Sequence, residues 1–239
     1  PTSLKSNDNV WIAGELAKTA AAVAKSIDDY KFNEAAGALY QFARGTYCDW
    51  YLEFIKPGLT GAEGTEKSEF QATAAWILGQ ILHLMHPFMP FITEEIWNLL
   101  SAEQGKMLII STWPDLDSIP IDAVVASNMD WVIRLIGQIR TVRSEMNVPA
   151  KAEIPLILRG ASSQSVSRIE DHREEIMRLA RLDQISVLDS SVGIPDGSVQ
   201  MVHDEATLAM PLGNIIDIVQ ERVRLERERQ KFADEIASI

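Results

Sequence analysis

Cys48-Asp49-Trp50-Tyr51-Leu52-Glu53 lies near the end of a segment, Asn33 to Ile55, whose spacing predicts one long helix. The apolar residues Ala36, Tyr40, Ala43, Tyr47, Trp50, Tyr51 and Phe54 recur at three- and four-residue steps, the repeat of a single helical face. Lys56-Pro57-Gly58 is expected to end this helix, because proline has no amide to continue the ladder and glycine accepts the turn. At about 100° per residue, Leu52 falls nearly opposite the apolar face, in a stripe with Gln41, Gly45 and Cys48, and Glu53 sits on the flank. Two readings of that placement stand side by side. An apolar residue beside a carboxylate, away from the core stripe, suits a recognition surface. An inner bundle helix buried on both faces produces the same pattern.

Helical patterns flank this segment on both sides. Asn9 to Asp29 reads as a helix with Trp11, Ile12, Leu16, Val23 and Ile27 inward and cap oxygens from Asn7, Asp8 and Asn9. The short link Tyr30 to Phe32 favours antiparallel packing against the next helix. After a Gly-rich loop, a third helix is expected from Thr65 to about Met85. His86-Pro87-Phe88-Met89-Pro90-Phe91 forms a stiff corner, with Thr93 as the cap of a further helix that buries Ile96, Trp97, Leu99 and Leu100. Met107 to Trp113 reads as an extended crossing segment. A long helix follows from about Ile121 to Met146, burying Val124, Met129, Val132, Ile133, Ile136, Ile139 and Val142.

The pattern changes at Asn147-Val148-Pro149. Ile154–Leu158 and Ile185–Leu188 read as strands around a helix from Ser165 to Leu182, and Ser198–Val202 with Ala206–Met210 reads as a hairpin turning at Asp204. From Asn214 the chain is charged and helical. Ile218, Leu225, Phe232 and Ile239 fall seven apart, and Ile215, Arg222, Arg229 and Ile236 form a second column, a coiled-coil seam whose partner strand is absent. The expected fold is therefore mainly α: a helical bundle over residues 1–146, a small α/β subdomain over 147–213, and the first helix of a truncated coiled-coil arm over 214–239.

The 239 residues, 46% of them hydrophobic, suit one large or two modest domains. The single cysteine excludes an internal disulfide and fits a cytoplasmic setting. No apolar run reaches the ~20 residues of a membrane span, and no secretion leader is visible. The start at Pro1 suggests a piece of something longer or a processed terminus. A net charge of -12 counts against nucleic-acid binding by the domain as a whole, but not against a local patch. Arg134, Arg140, Arg143 and Lys151 are the candidates for RNA-backbone contacts, with a solvated helix face as the plain alternative.

Residues for catalysis are not evident. There is no P-loop glycine pattern, His-Glu-x-x-His or Cys-x-x-Cys pair. His83 and His86 are three apart, but Pro87 makes that helix end irregular and no further ligand stands at metal spacing, so His86 reads as structural. The expectation is a binding module with no catalytic, metal or cofactor residues of its own.

Three blocks carry a resemblance to the anticodon-binding region of valyl-tRNA synthetases. They are Asn33-Glu34-Ala35-Ala36 through Tyr40 to Cys48-Asp49-Trp50-Tyr51-Leu52-Glu53 and Lys56-Pro57; Leu84 to Trp97 around His86-Pro87-Phe88-Met89-Pro90-Phe91; and Arg140 through Arg143-Ser144-Glu145-Met146-Asn147-Val148-Pro149. The second block is shared in looser form with isoleucyl, leucyl and methionyl relatives and gives only the class. The resemblance implies a class I enzyme that joins valine to tRNA-Val using ATP, on N-terminal catalytic and editing domains absent here, with a monomeric full enzyme. It implies that Leu52 and Glu53 lie against the anticodon. A Lys…Arg-Phe part of that site would lie upstream of Pro1, so this chain alone is expected to bind tRNA weakly. Unpaired bases offer Watson–Crick edges to a carboxylate and flat faces to an apolar side chain, and an acidic side chain accepts from an exocyclic amine such as that of cytosine. Two alternatives remain. The equivalent isoleucyl domain is expected to carry a zinc-binding C-terminal extension, against which the single cysteine argues. A helical protein-interaction module would form no salt-dependent complex with tRNA.

Overall fold

The computed structural model describes residues 4–100, 106–213, 215–216 and 218–237. The chain divides into two compact units, residues 1–129 and 130–239, with the dividing line inside one long helix. The architecture is the mainly helical one expected, with one small four-stranded sheet.

The first unit contains α1 (Asn7–Asp28), then a helical run composed of α2 (Phe32–Tyr40), a π-helical stretch (Gln41–Tyr51) and α3 (Leu52–Thr60), then α4 (Thr65–Met85), α5 (Pro90–Leu100) and a 3-10 turn at Leu108–Ile110. Backbone angles at Tyr40, Gln41, Tyr51 and Leu52 all stay in the right-handed region, so the run from Phe32 to Thr60 is unbroken. Its buried residues are Ala35, Leu39, Phe42, Tyr47, Tyr51, Phe54 and Ile55. The step from Phe42 to Tyr47 is five residues, the hydrogen-bond step of a π-helix, whose wider turn shifts the buried face. A uniform three-and-four repeat therefore reads the second half of the run in phase and the first half one residue out. Tyr40, expected inside, is 55% exposed, and Leu39 takes its place in the core.

Pro57 does not end the helix but sits inside α3. Proline has no amide to continue the ladder, yet the helix runs three residues beyond it. Gly58 is required for close approach and not for a turn. A Cβ there would lie 2.5 Å from Cε2 and 2.6 Å from Cδ2 of the buried Phe70 ring on α4. Gly→Ala in a helix ordinarily gains about 1 kcal/mol. Here overpacking reverses the sign, and Gly58→Ala is expected to destabilise by about 1–3 kcal/mol in chemical denaturation.

Other local expectations are corrected. Asn9 is not a cap: it lies inside α1, fully buried. Thr93 is not the cap of α5. The helix starts at Pro90, whose missing amide is harmless at a first helical position, and the buried Thr93 donates to Met89 O (2.8 Å) and bonds His86 Nδ1 (2.8 Å). Leu99 and Leu100 are exposed, as are Ile109 and Ile110, whereas Leu108 is buried. Met107 to Trp113 is not an extended crossing. Glu94 accepts from Leu108 N (2.9 Å) and Ile109 N (3.2 Å), which folds the segment into its short turn.

The long helix α6 (Ala123–Glu145) begins where Asp122 Oδ1 accepts from Val124 N and Val125 N, and that places Val124 outside, 68% exposed. In the second unit it is followed by β1 (Ile154–Arg159), α7 (Ser163–Asp171), α8 (Arg173–Ala180), β2 (Leu182–Leu188), β3 (Ser198–His203), β4 (Ala206–Pro211) and α9 (Ile218–Ala237). The sheet order is β2-β1-β4-β3. β1 and β2 are parallel, joined by the helical crossover such a pair needs, and the other pairs are antiparallel. Ile154, Leu156 and Leu158 alternate into the core, where Ile169 and Ile176 are also fully buried, and Leu208 pairs with Leu158 across β1 and β4. The helix expected over Ser165–Leu182 is two helices broken at His172 (φ -123°, ψ 23°), because one non-helical residue leaves the flanking periodicity intact in the sequence. On α9, Phe232 and Ile236 are exposed; the side chains of Ile218, Leu225 and Ile239 lie outside the described residues.

Candidate nucleic-acid interface

Tyr51 sets the rotation of α3. Its ring is fully buried, and its hydroxyl donates to Asn9 Oδ1 at 2.7 Å. Asn9 Nδ2 in turn donates to Glu69 Oε1 (2.8 Å), which also accepts the backbone amides of Lys5 (2.9 Å) and Ser6 (3.1 Å). Burial holds the Tyr51 hydroxyl protonated by pushing its pKa well up. Tyr47, one turn earlier, donates to Ala74 O (2.9 Å) and stacks on Tyr51 at 5.7 Å; burial pushes its pKa up to about 12. On the other flank Trp50 stacks on Phe54 (5.8 Å), and Phe54 meets the edge of Trp11 (6.0 Å). With these rings locked inside, the next two residues turn outward.

Leu52 is half-buried, and the Glu53 side chain is 38% exposed. Cys48 and Asp49, one turn earlier, are exposed. Partial burial and the Asp49 carboxylate push the Cys48 thiol up, so it stays protonated and adds no charge. Glu53 Oε1 accepts from Lys56 Nζ at 3.0 Å. Lys56 is a neighbour that the sequence reading passed over, although a cation three residues after a carboxylate on a helix is a recognisable pair. The surface therefore carries an apolar patch, a carboxylate and an exposed ammonium side by side.

The four basic candidates separate within the second unit. Arg134 forks onto Asp204 (2.9 and 3.3 Å) and bonds Asp130 (2.9 Å), and these carboxylates raise its pKa. Its charge is matched, and the pair pins the β3–β4 turn to α6. Arg143, expected to face RNA, is buried instead: its guanidinium donates to Arg181 O (3.2 Å), Pro149 O (3.3 Å) and Ala152 O (2.7 Å). It closes the corner after α6, where Asn147 takes a left-handed φ of 49°. Nothing in the sequence distinguishes such a clamp from a surface arginine, since its acceptors are main-chain carbonyls. Arg140 is exposed and donates from Nε to Leu179 O (3.0 Å). Lys151 is exposed. Arg140 and Arg143 share a cleft with Arg181, which the sequence reading did not single out, while Arg134 and Lys151 do not line it.

Among the described residues no group of His, Cys, Asp and Glu is placed to hold a metal ion, and no helix is long and apolar enough to cross a membrane. His86 sits in the fold through its bond to Thr93.

Residues 9–158 match the family profile described as the anticodon-binding domain of tRNA ligase. Along its whole length the chain is 43% identical to a valine–tRNA ligase of Brucella suis and 42% identical to one of Caulobacter vibrioides. It is 40% identical over its whole length to one of Bartonella henselae. The chain spans about a quarter, 26%, of the length of each of these relatives.

Proposed function

This chain belongs to the anticodon-binding domain family of tRNA ligases, and from that membership we propose that it recognises the anticodon loop of tRNA-Val within a valine–tRNA ligase. The observation that carries the site assignment is the outward Leu52–Glu53 pair, held in place by the buried Tyr51. Leu52 offers an apolar seat for the face of an unstacked base. Glu53 offers a carboxylate acceptor to an exocyclic amine on its Watson–Crick edge, and Lys56 lies close enough to meet the adjoining phosphate. The task of this chain is to bind and orient the RNA. ATP and valine would be handled by catalytic and editing parts of the longer enzyme, a cytoplasmic monomer in this reading, with α9 as the start of a coiled-coil arm.

The test is Glu53→Ala in the complete ligase. A lost acceptor of this kind is worth about 1–2 kcal/mol. The specificity constant kcat/KM for aminoacylation with respect to tRNA is expected to fall about tenfold. Valine-dependent ATP–pyrophosphate exchange, which needs no tRNA, is expected to stay within about twofold of wild type. Equal losses in both assays would mark a folding defect and remove Glu53 from the site.

A further inference from the structure

We propose that Tyr40, steadied by Arg44, is a stacking platform for a second unpaired base of the same RNA loop. The proposal rests on the anticodon-binding reading and extends that site along the helix, away from the Leu52–Glu53 pair. In the unbroken run from Phe32 to Thr60, Tyr40, Arg44 and Cys48 are exposed and Leu52 is half-buried, while Leu39, Phe42, Tyr47 and Tyr51 are buried. Each outward residue follows the last by four positions, so the row runs along one outward side of the rod. At about 1.5 Å per residue, Tyr40 stands on the order of 18 Å from Leu52, the length of about five stacked nucleotides. A base seated at Tyr40 is therefore a different one from the base that Glu53 reads.

An exposed aromatic ring is ordinary by itself. Tyr40 differs in being held. Arg44 Nη1 donates to its hydroxyl at 2.6 Å, and the guanidinium carbon lies 5.9 Å from the ring centre. A bond to the hydroxyl at that separation puts the guanidinium beyond the hydroxyl end of the ring, so it fixes the ring's direction without lying flat on either face. A ring ordered in advance loses less freedom when a ligand arrives. The Tyr40 hydroxyl first, and the exposed Asp49 carboxylate after it, raise the Arg44 pKa, so this cation is permanent. Every base has a flat face, so stacking on tyrosine holds unpaired RNA without reading its sequence. Stacking also needs no positive field, which suits a chain with a net charge of -12. The two ends of the row then divide the work: Glu53 reads the edge of one base, and Tyr40 takes the face of another.

The test uses the complete ligase and tRNA-Val in filter-binding titrations, with Tyr40→Ala, Tyr40→Leu, Tyr40→Phe and Glu53→Ala compared. Tyr40→Ala is expected to weaken binding about tenfold, Tyr40→Leu nearly as much, and Tyr40→Phe by no more than about threefold. Melting temperatures should stay unchanged because the side chain is exposed, and valine-dependent ATP–pyrophosphate exchange should stay within about twofold of wild type. Anticodon stem-loop RNAs lacking one loop base at a time are the second probe. At one position, and not the one coupled to Glu53, the missing base and Tyr40→Ala should cost less together than the sum of their separate losses. Wild-type binding by Tyr40→Ala, alongside weakened binding by Glu53→Ala, overturns the platform and leaves the anticodon reading standing. Wild-type binding by both overturns both. Full binding by Tyr40→Leu, or additive losses at every loop position, makes Tyr40 a plain apolar contact and overturns the base seat. An equal loss of pyrophosphate exchange in Tyr40→Ala assigns the ring to packing within the ligase and does the same.

Discussion

Arg143→Met is expected to lower the stability of the second unit by about 3 kcal/mol, read as a drop in thermal midpoint on the order of 10 °C. The substitution keeps the aliphatic stem and removes the planar head. Three main-chain carbonyls, on Arg181, Pro149 and Ala152, then lose a charged donor at once. Hydrogen bonds to charged groups are worth about 1.5–3 kcal/mol each, and removing a buried cation returns part of that sum as relieved desolvation. The carbonyls outweigh the relief because they belong to one corner: Val148 N bonds Arg143 O (2.9 Å), and β2 begins one residue after Arg181. Arg143→Lys is expected to recover only part of the loss, since an ammonium cannot fork to acceptors on three sides. A midpoint within about 2 °C of wild type in Arg143→Met would show that the corner holds without the clamp.

The second large effect is expected from Asn9→Leu, at about 2–3 kcal/mol. Asn9 and Tyr51 are both fully buried. Leucine fills a similar volume but leaves the Tyr51 hydroxyl with no acceptor at that position and deprives Glu69 of one of its three donors. Tyr51→Phe removes only the donor side of one bond and is expected to lose about 1 kcal/mol. The double variant should be less destabilised than the sum of the two, because the same hydrogen bond is lost in both. A pH dependence accompanies this. Burial alone would raise the Glu69 pKa, but the Asn9 amide and the amides of Lys5 and Ser6 outweigh it and hold the carboxyl below its ordinary 4.5. Its stabilising contribution is therefore present above pH 4.5 and is lost as the pH falls through the lower folded value. The gap between wild type and Asn9→Leu in denaturant melts should narrow across that acid window. A gap independent of pH would take Glu69 out of the network. The functional consequence lies next door in the chain, because a loosened Tyr51 frees α3 to rotate and Leu52 and Glu53 to lose their aim.

A similar network fixes the α/β unit. Glu205 accepts from Ser162 N and Ser165 Oγ, both at 2.8 Å, and these bonds hold its pKa down to about 2. Such a carboxylate, reaching across some forty residues to a helix start, leaves no local mark in a sequence.

The sequence by itself determined the helical class, the bounds of α4 at Thr65 and Met85, the strand cores around Leu156 and Leu208, and the turn at Asp204. These depend on apolar periodicity and turn chemistry, which act between residues a few positions apart. The candidate surface was legible to the same degree, since Leu52 and Glu53 lie in the half of their helix that keeps the phase set by Tyr47, Tyr51 and Phe54. The tertiary structure alone decided the rest. It placed the five-residue step between Phe42 and Tyr47, kept Gly58 free of a Cβ because Phe70 lies against it, and put Asn9 at the centre of a network instead of at a helix end. It also turned Arg143 inward and left Arg181 at the mouth of a cleft. Each of these is settled by a partner distant in the chain, and a buried polar group takes whichever partner the packing brings to it.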